Sequence, residues 1–75
     1  MSKERKLPFE CVVYDKEPVE VKNRFSGEGI VIPPDAVAVY DSIIGAEYIN
    51  NWDTVRKGLD WFRKHEPEAY MVLLD

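Results

Sequence analysis

A pair of adjacent prolines, Pro33 and Pro34, divides this chain into one half suited to strands and another suited to helices. Proline cannot donate a backbone hydrogen bond to a sheet, whereas its fixed φ suits the first turn of a helix. Before the pair, apolar residues alternate with charged ones, and after it they recur at helical spacing. The chain is therefore expected to fold as an α+β domain, with short antiparallel strands preceding the helices.

The strand pattern is clearest over residues 19–32. Apolar and charged residues alternate from Val19 to Phe25 except at Asn23, and the β-branched run Ile30-Val31-Ile32 follows a short gap. The gap, Ser26-Gly27-Glu28-Gly29, holds the small residues and glycines that tight turns require. We therefore expect a β-hairpin that packs through its apolar face against the helices.

Two further features precede the hairpin. A period-two pattern, in which Phe9, Cys11 and Val13 alternate with Glu10, Val12 and Tyr14, predicts another short strand. Residues 1–8 are rich in charge and end at a proline, so they are expected to form a flexible arm. With 75 residues and no internal repeat, residues 1–75 are expected to form one small domain.

Three helices are predicted after the proline pair, over about residues 34–49, 52–65 and 67–74. Asn50-Asn51 closes the first helix and offers a side chain that can cap the second. Pro67 ends the second helix because it forces the preceding residue out of the helical region, and it suits the first turn of a third.

The apolar residues of the two longer helices indicate where the core lies. Val55, Leu59 and Phe62 recur at i, i+4 and i+7 on the second helix and are expected to face the first. Most sides of the first helix are apolar, which is broader than the single stripe of a surface helix. We therefore expect the first helix to contact more than its own hairpin.

Composition argues against several classes of function. Ten basic and fourteen acidic residues give a net charge of −4, which argues against nucleic-acid binding because phosphate contacts need lysine and arginine. No apolar segment is long enough to span a membrane. A single cysteine, Cys11, suits a reducing compartment, so the expected location is the cytoplasm.

The sequence contains no recognisable catalytic or metal-binding pattern. The only histidine is His65, and no acid-base pair, metal-ligand spacing or cofactor motif is present, so neither an enzyme nor a cofactor is predicted. Cys11 lies in an apolar run and is expected to be buried and inert. Since neither a disulfide nor a metal can stabilise so small a core, we expect a homodimer or a protein partner.

The strongest candidates for a partner-binding surface are Tyr48, Trp52, Gly58 and Trp61, because large aromatic residues dominate interface energetics. Gly58 in the middle of a helix costs about 1 kcal/mol relative to alanine, which calls for a compensating close approach. That approach can lie within the fold or across an interface. Alternatively, Trp52 and Trp61 simply cover the edge of a small core.

A basic cluster on the second helix suggests a second type of site. Arg56, Arg63 and Lys64 are candidates for contacting the phosphates of a small ligand. However, Asp53 and Asp60 lie four residues from basic partners along the same helix, which favours a solvated, charge-paired face.

From Phe25 to Asp75, and in particular over PPDAVAVYDSIIGAE and DTVRKGLDWFRKHEPEAYMVLLD, the chain resembles small uncharacterised proteins encoded by tailed bacteriophages. The resemblance implies a phage origin and assigns no role to any residue. Small acidic phage proteins often bind and block host factors, including defence systems.

Two hypotheses follow from these observations. The leading one is a non-enzymatic protein that binds a host protein or a second copy of itself. The alternative is a homo-oligomer that sequesters a small ligand such as a nucleotide signal.

Overall fold

The computed structural model describes residues 6–74 and confirms the α+β arrangement. A two-stranded antiparallel sheet precedes two long helices and a short third one. The third helix passes directly into a π-helical turn at residues 70–74. In chain order the elements are β1 (Val19–Lys22), β2 (Gly29–Ile32), α1 (Pro34–Tyr48), α2 (Trp52–His65), α3 (Pro67–Ala69) and the π-helical turn (Tyr70–Leu74).

The hairpin formed by β1 and β2 buries one face, as the alternation predicts. Val19 pairs with Ile32 and Val21 with Ile30, and these four side chains are buried or half-buried. The opposite face is exposed and includes Val31. Because side chains alternate across a strand, the register that pairs these valines and isoleucines is the one that buries them together.

Asn23 organises the hairpin turn. Its side-chain oxygen accepts hydrogen bonds from the backbone N–H groups of Phe25 (2.7 Å) and Ser26 (3.1 Å). Its side-chain nitrogen donates to the carbonyl of Val72 at 2.9 Å. Gly27 completes the turn at φ 80°, a conformation that glycine adopts without steric cost. The half-buried polar residue therefore links the turn to the C-terminal segment.

The proline pair starts α1 as the sequence predicts. Pro33 is extended at φ −68° and ψ 162°, and its carbonyl accepts the first helical hydrogen bond from Val37 at 3.1 Å. Pro34 occupies the first position of the helix, where no N–H is needed. The adjacent Asp35 complements the positive end of the helix dipole.

The core lies between α1, α2 and the inner face of the hairpin. Val55 and Phe62 of α2 are buried as expected, whereas Leu59 is half-buried at the edge of the core. The four largest side chains with essentially no exposed surface are Phe62, Ile32, Ile43 and Val39.

The broad apolar surface of α1 is largely covered within the fold. Seven of its fifteen residues are buried. Besides α2 and the hairpin, the N-terminal segment contributes Leu7, Phe9 and Cys11, which pack against the core. The expectation that α1 contacts more than its own hairpin is therefore met by a segment of the same chain.

The strand predicted over Phe9–Tyr14 is wrong. The sheet in the described part of the chain contains only β1 and β2, and residues 10–15 form neither helix nor strand. Burial alternates only at the start of the segment, where Phe9 and Cys11 are half-buried and Glu10 and Val12 are exposed, whereas Val13 and Tyr14 are both exposed. A strand also needs hydrogen bonds to a neighbouring backbone, and within residues 6–74 this segment makes none.

Trp61 connects the N-terminal segment to α2. Its side chain is buried, and the indole N–H donates to the carbonyl of Lys6 at 2.8 Å. The ring meets Phe62 edge-on, with ring centroids 5.4 Å apart, and lies 5.1 Å from the His65 ring. The predicted flexible arm covers residues 1–8, of which residues 1–5 lie outside the described part, while Leu7 packs on the core.

Replacing Trp61 by phenylalanine is expected to lower the free energy of unfolding by about 1–3 kcal/mol. The smaller ring leaves part of the site empty, and the Lys6 carbonyl loses its indole donor. Urea unfolding followed by circular dichroism measures this cost. A change below about 0.3 kcal/mol would show that the contact between Trp61 and Lys6 does not contribute to the fold.

Candidate functional site at the corner between the two long helices

The corner between α1 and α2 is closed by hydrogen bonds on both sides. The backbone N–H of Asn50 donates to Glu47 at 3.2 Å, and that of Asn51 donates to Ala46 at 2.8 Å. The side chain of Asn51 then accepts from the N–H of Thr54 at 3.3 Å and caps α2. Asn50 has φ 60°, in the left-handed region that asparagine tolerates better than most residues. The corner therefore has a defined backbone conformation.

This corner presents three large apolar side chains to solvent. Tyr48, Ile49 and Trp52 are 78%, 73% and 56% exposed. We call these three residues the corner patch. Ala46 before it and Val55 after it are buried, so the corner is anchored to the core on both sides. Neighbouring exposed apolar residues of this size are typical of interaction surfaces.

The acidic residues next to the corner patch are paired. Glu47 forms an ion pair with Arg24 at 3.3 Å, and Asp53 forms one with Lys57 at 3.2 Å. The Arg24 guanidinium also lies over the ring of Phe25, 5.3 Å from its centroid. The first pair links the hairpin turn to the C-terminal end of α1, and a cavity of about 150 Å³ lies beside this pair.

Only two of the four predicted partner-binding residues lie on the surface. Tyr48 and Trp52 belong to the corner patch, whereas Gly58 and Trp61 are buried. A Cβ atom at Gly58 would lie 2.4 Å from Cγ1 of Ile43, so the close approach that glycine permits occurs between α1 and α2. This corrects the prediction that Gly58 and Trp61 form an exposed contact face, because the core of the protein itself occupies that face.

The three predicted phosphate-binding residues do not converge on one site. Arg63 pairs with Asp60 and also lies over the Tyr70 ring, 5.6 Å from its centroid. Lys64 borders a different surface, a groove between α2 and the N-terminal segment, which Arg56 and Arg63 do not line. The predicted pairing of Asp53 with Lys57 is confirmed, whereas Asp60 pairs with the residue three positions on rather than four.

The groove beside Lys64 was not predicted. It has a volume of about 460 Å³, an apolar floor and a mostly basic rim. Lys6 is distant in sequence from the helix that it meets, and no local pattern indicates this contact. The residues that line the groove are Lys6, Leu7, Pro8, Lys57, Asp60, Trp61, Lys64 and His65.

Cys11 lies in a separate cavity of about 270 Å³ between the N-terminal segment and α1. Burial raises the pKa of its thiol, a hydrogen bond with Ser42 opposes that rise, and the charge of Asp35 adds to it. A raised pKa reduces the thiolate fraction at neutral pH, which disfavours nucleophilic chemistry. Within residues 6–74, no cluster of three or more histidine, cysteine or acidic side chains could hold a metal ion.

Among the described helices, none combines the length and the apolar character needed to cross a membrane. Comparisons with known proteins provide no further guide to the site. No protein-family model, curated protein or solved structure matches this chain.

Proposed function

We propose that this chain is a non-enzymatic protein-binding domain that contacts its partner through the corner patch. The observation that carries the proposal is the exposure of Tyr48, Ile49 and Trp52 on a corner fixed by hydrogen bonds. Tyrosine and tryptophan contribute most to binding when they enter a pocket on a partner. A corner that is already ordered loses little conformational entropy when it binds.

The corner patch and the charge of the whole protein favour a partner with an apolar recess and a basic rim. Glu47 and Asp53 beside the patch are paired with Arg24 and Lys57, so the preference for a basic partner rests on the net charge of −4. Opposite charge on a partner increases the rate of association and suppresses wrong partners. The resemblance of residues 25–75 to phage proteins leads us to propose a bacterial host protein, bound in the cytoplasm, as that partner.

A matched set of immobilised proteins tests the proposal. The wild type, the double variant Tyr48→Ala/Trp52→Ala and the control Val31→Thr are each exposed to bacterial lysate. Val31 is exposed on the hairpin, and threonine keeps its branched shape while removing apolar surface. We expect a stoichiometric protein to be retained by the wild type and the control, and its purified form to bind the double variant at least about 30-fold more weakly.

Equal binding to all three proteins would contradict the proposal, as would the absence of any retained protein. A nucleotide released from the purified wild type on heat denaturation would support the alternative, a protein that sequesters a small ligand. The groove beside Lys64, with its mostly basic rim, would then be the candidate site for that nucleotide.

A further inference from the structure

The segment from Glu10 to Lys16 has the properties of a strand that lacks a partner. The chain bends at residues 8–9 and 16–17 and runs without a bend between them. Val12, Val13 and Tyr14 are 63%, 42% and 84% exposed, so Val13 is the least exposed of the three. Cys11 is half-buried against the protein, whereas Val12 and Tyr14 expose most of their surface, although both also border the cavity beside Ser42 of α1.

The backbone of this segment is available for pairing. Within residues 6–74, the N–H and carbonyl groups of residues 10–15 make no backbone hydrogen bond to one another or to any other residue. Valine and tyrosine favour strands, and an unpaired run of such residues is a template for strand addition. This is a different surface from the corner patch.

We propose that residues 10–16 of two copies of this chain pair as antiparallel strands about a twofold axis at Val13, and so form a homodimer. The proposal goes beyond the binding of a foreign partner and does not depend on it. It also places self-association away from Tyr48, Trp52 and Trp61, the aromatic candidates for a partner-binding surface. Trp61 is buried within the protomer and cannot contact a second copy.

Side-chain direction restricts the register of such a pair. Opposed residues in antiparallel strands lie on the same face, and a slip of one residue exchanges the two faces. Even-numbered residues must therefore oppose even-numbered ones if Cys11 of both copies is to keep its half-buried side chain against the protein. Pairing centred on Val13 satisfies this condition.

Charge selects that register among the alternatives. Centring on Val13 places Glu10 opposite Lys16 twice, once on each side of the axis, and Val12 opposite Tyr14. Opposite charges and aromatic–β-branched pairs are both favourable across strands. Neither Glu10 nor Lys16 forms an ion pair within the described part of the chain.

Neighbouring registers lack this complementarity. A slip of one residue places Glu10 opposite Asp15 or Glu17, which are also acidic. A slip of two residues places Glu10 opposite Tyr14 or Pro18, where no ion pair forms. A second copy of this segment therefore fits the strand better in the register centred on Val13 than in those beside it.

Charge exchange tests the proposal directly. Sedimentation equilibrium at low salt, from about 10 µM to about 1 mM, covers the range expected for a contact of this small size. The wild type should dimerise. Glu10→Lys and Lys16→Glu should each dimerise at least about tenfold more weakly, because each converts both ion pairs into like-charge contacts.

Mixing the two variants provides the decisive observation. The Glu10→Lys chain carries lysine at positions 10 and 16, and the Lys16→Glu chain carries glutamate at both. Both ion pairs are therefore restored between the two chains, and an equimolar mixture should form heterodimers as tightly as the wild type dimerises. Glu20→Lys, an exposed charge change on β1, should leave dimerisation unchanged. Tyr48→Ala/Trp52→Ala should leave it unchanged as well, which separates this contact from the corner patch.

Two results would overturn the proposal. One is a wild type that remains at 8.7 kDa over the whole concentration range. The other is a dimer that both single variants form as tightly as the wild type, or that their mixture fails to restore.

Discussion

Replacing Gly58 by alanine should lower the free energy of unfolding by about 1–3 kcal/mol, although alanine favours a helix more than glycine does. The added Cβ would lie 2.4 Å from Cγ1 and 2.6 Å from Cδ1 of Ile43, with Phe9 close behind at 3.5 Å. Ile43 is fully buried and its branched side chain is stiff, so it has little room to yield. Overpacking therefore outweighs the gain in helix propensity.

Gly45→Ala provides the matched control for this prediction. Gly45 is also within a helix, but it is exposed and no atom lies within 4 Å of a Cβ placed there. Alanine at this position should raise the free energy of unfolding by about 0.5–1 kcal/mol. Urea unfolding of both variants tests the pair. Equal stabilisation by the two substitutions would show that α1 and α2 do not pack closely at Gly58.

Replacing Phe62 by alanine should have the largest effect on stability, a loss of about 3–5 kcal/mol. Phe62 has no exposed surface and lies in the centre of the core beside Trp61. A domain of this size has a total stability of only about 5–10 kcal/mol, so much of the variant is expected to be unfolded at physiological temperature.

Leu59→Ala serves as the comparison because the two residues lie on the same helix. Leu59 is half-buried at the edge of the core, so its truncation should cost about 1–2 kcal/mol. Thermal unfolding measured by circular dichroism ranks the two variants. If Leu59→Ala proves the more damaging, the side of α2 that faces the core has been assigned incorrectly.

The parts of the fold that depend on local patterns could be predicted from the sequence. The boundary at Pro33-Pro34, the cap at Asn51 and the end of α2 before Pro67 each follow from the chemistry of one or two residues. The hairpin likewise follows from alternation and turn residues.

Contacts between distant parts of the chain could not be predicted in the same way. Nothing near Trp61 in the sequence indicates that its N–H reaches Lys6, 55 residues away. For the same reason the period-two pattern at residues 9–14 predicts a strand that the structure lacks, since a pattern of side chains does not reveal whether a second backbone lies alongside.

In the candidate site, too, local patterns identify the residue types, whereas contacts between distant residues decide which of them are exposed. Aromatic character makes Tyr48, Trp52 and Trp61 equal candidates for an interface. In the structure Trp61 is buried and bonds to Lys6 of the N-terminal segment, whereas Tyr48 and Trp52 are exposed. The sequence explains Gly58 by a close approach either within the fold or across an interface. A Cβ atom at Gly58 would lie 2.4 Å from Cγ1 of Ile43, so the close approach is within the fold.

The fluorescence of Trp52 in the Trp61→Phe variant tests the central claim most directly. The chain has only two tryptophans, so this variant reports on the corner patch alone. Without a partner, Trp52 should emit at long wavelength and be readily quenched by acrylamide, because it is more than half exposed. On addition of the purified partner protein, we expect emission to shift to shorter wavelength and quenching to fall as the complex forms. An unchanged spectrum in a fully formed complex would contradict the account, since the partner would then be bound at another surface.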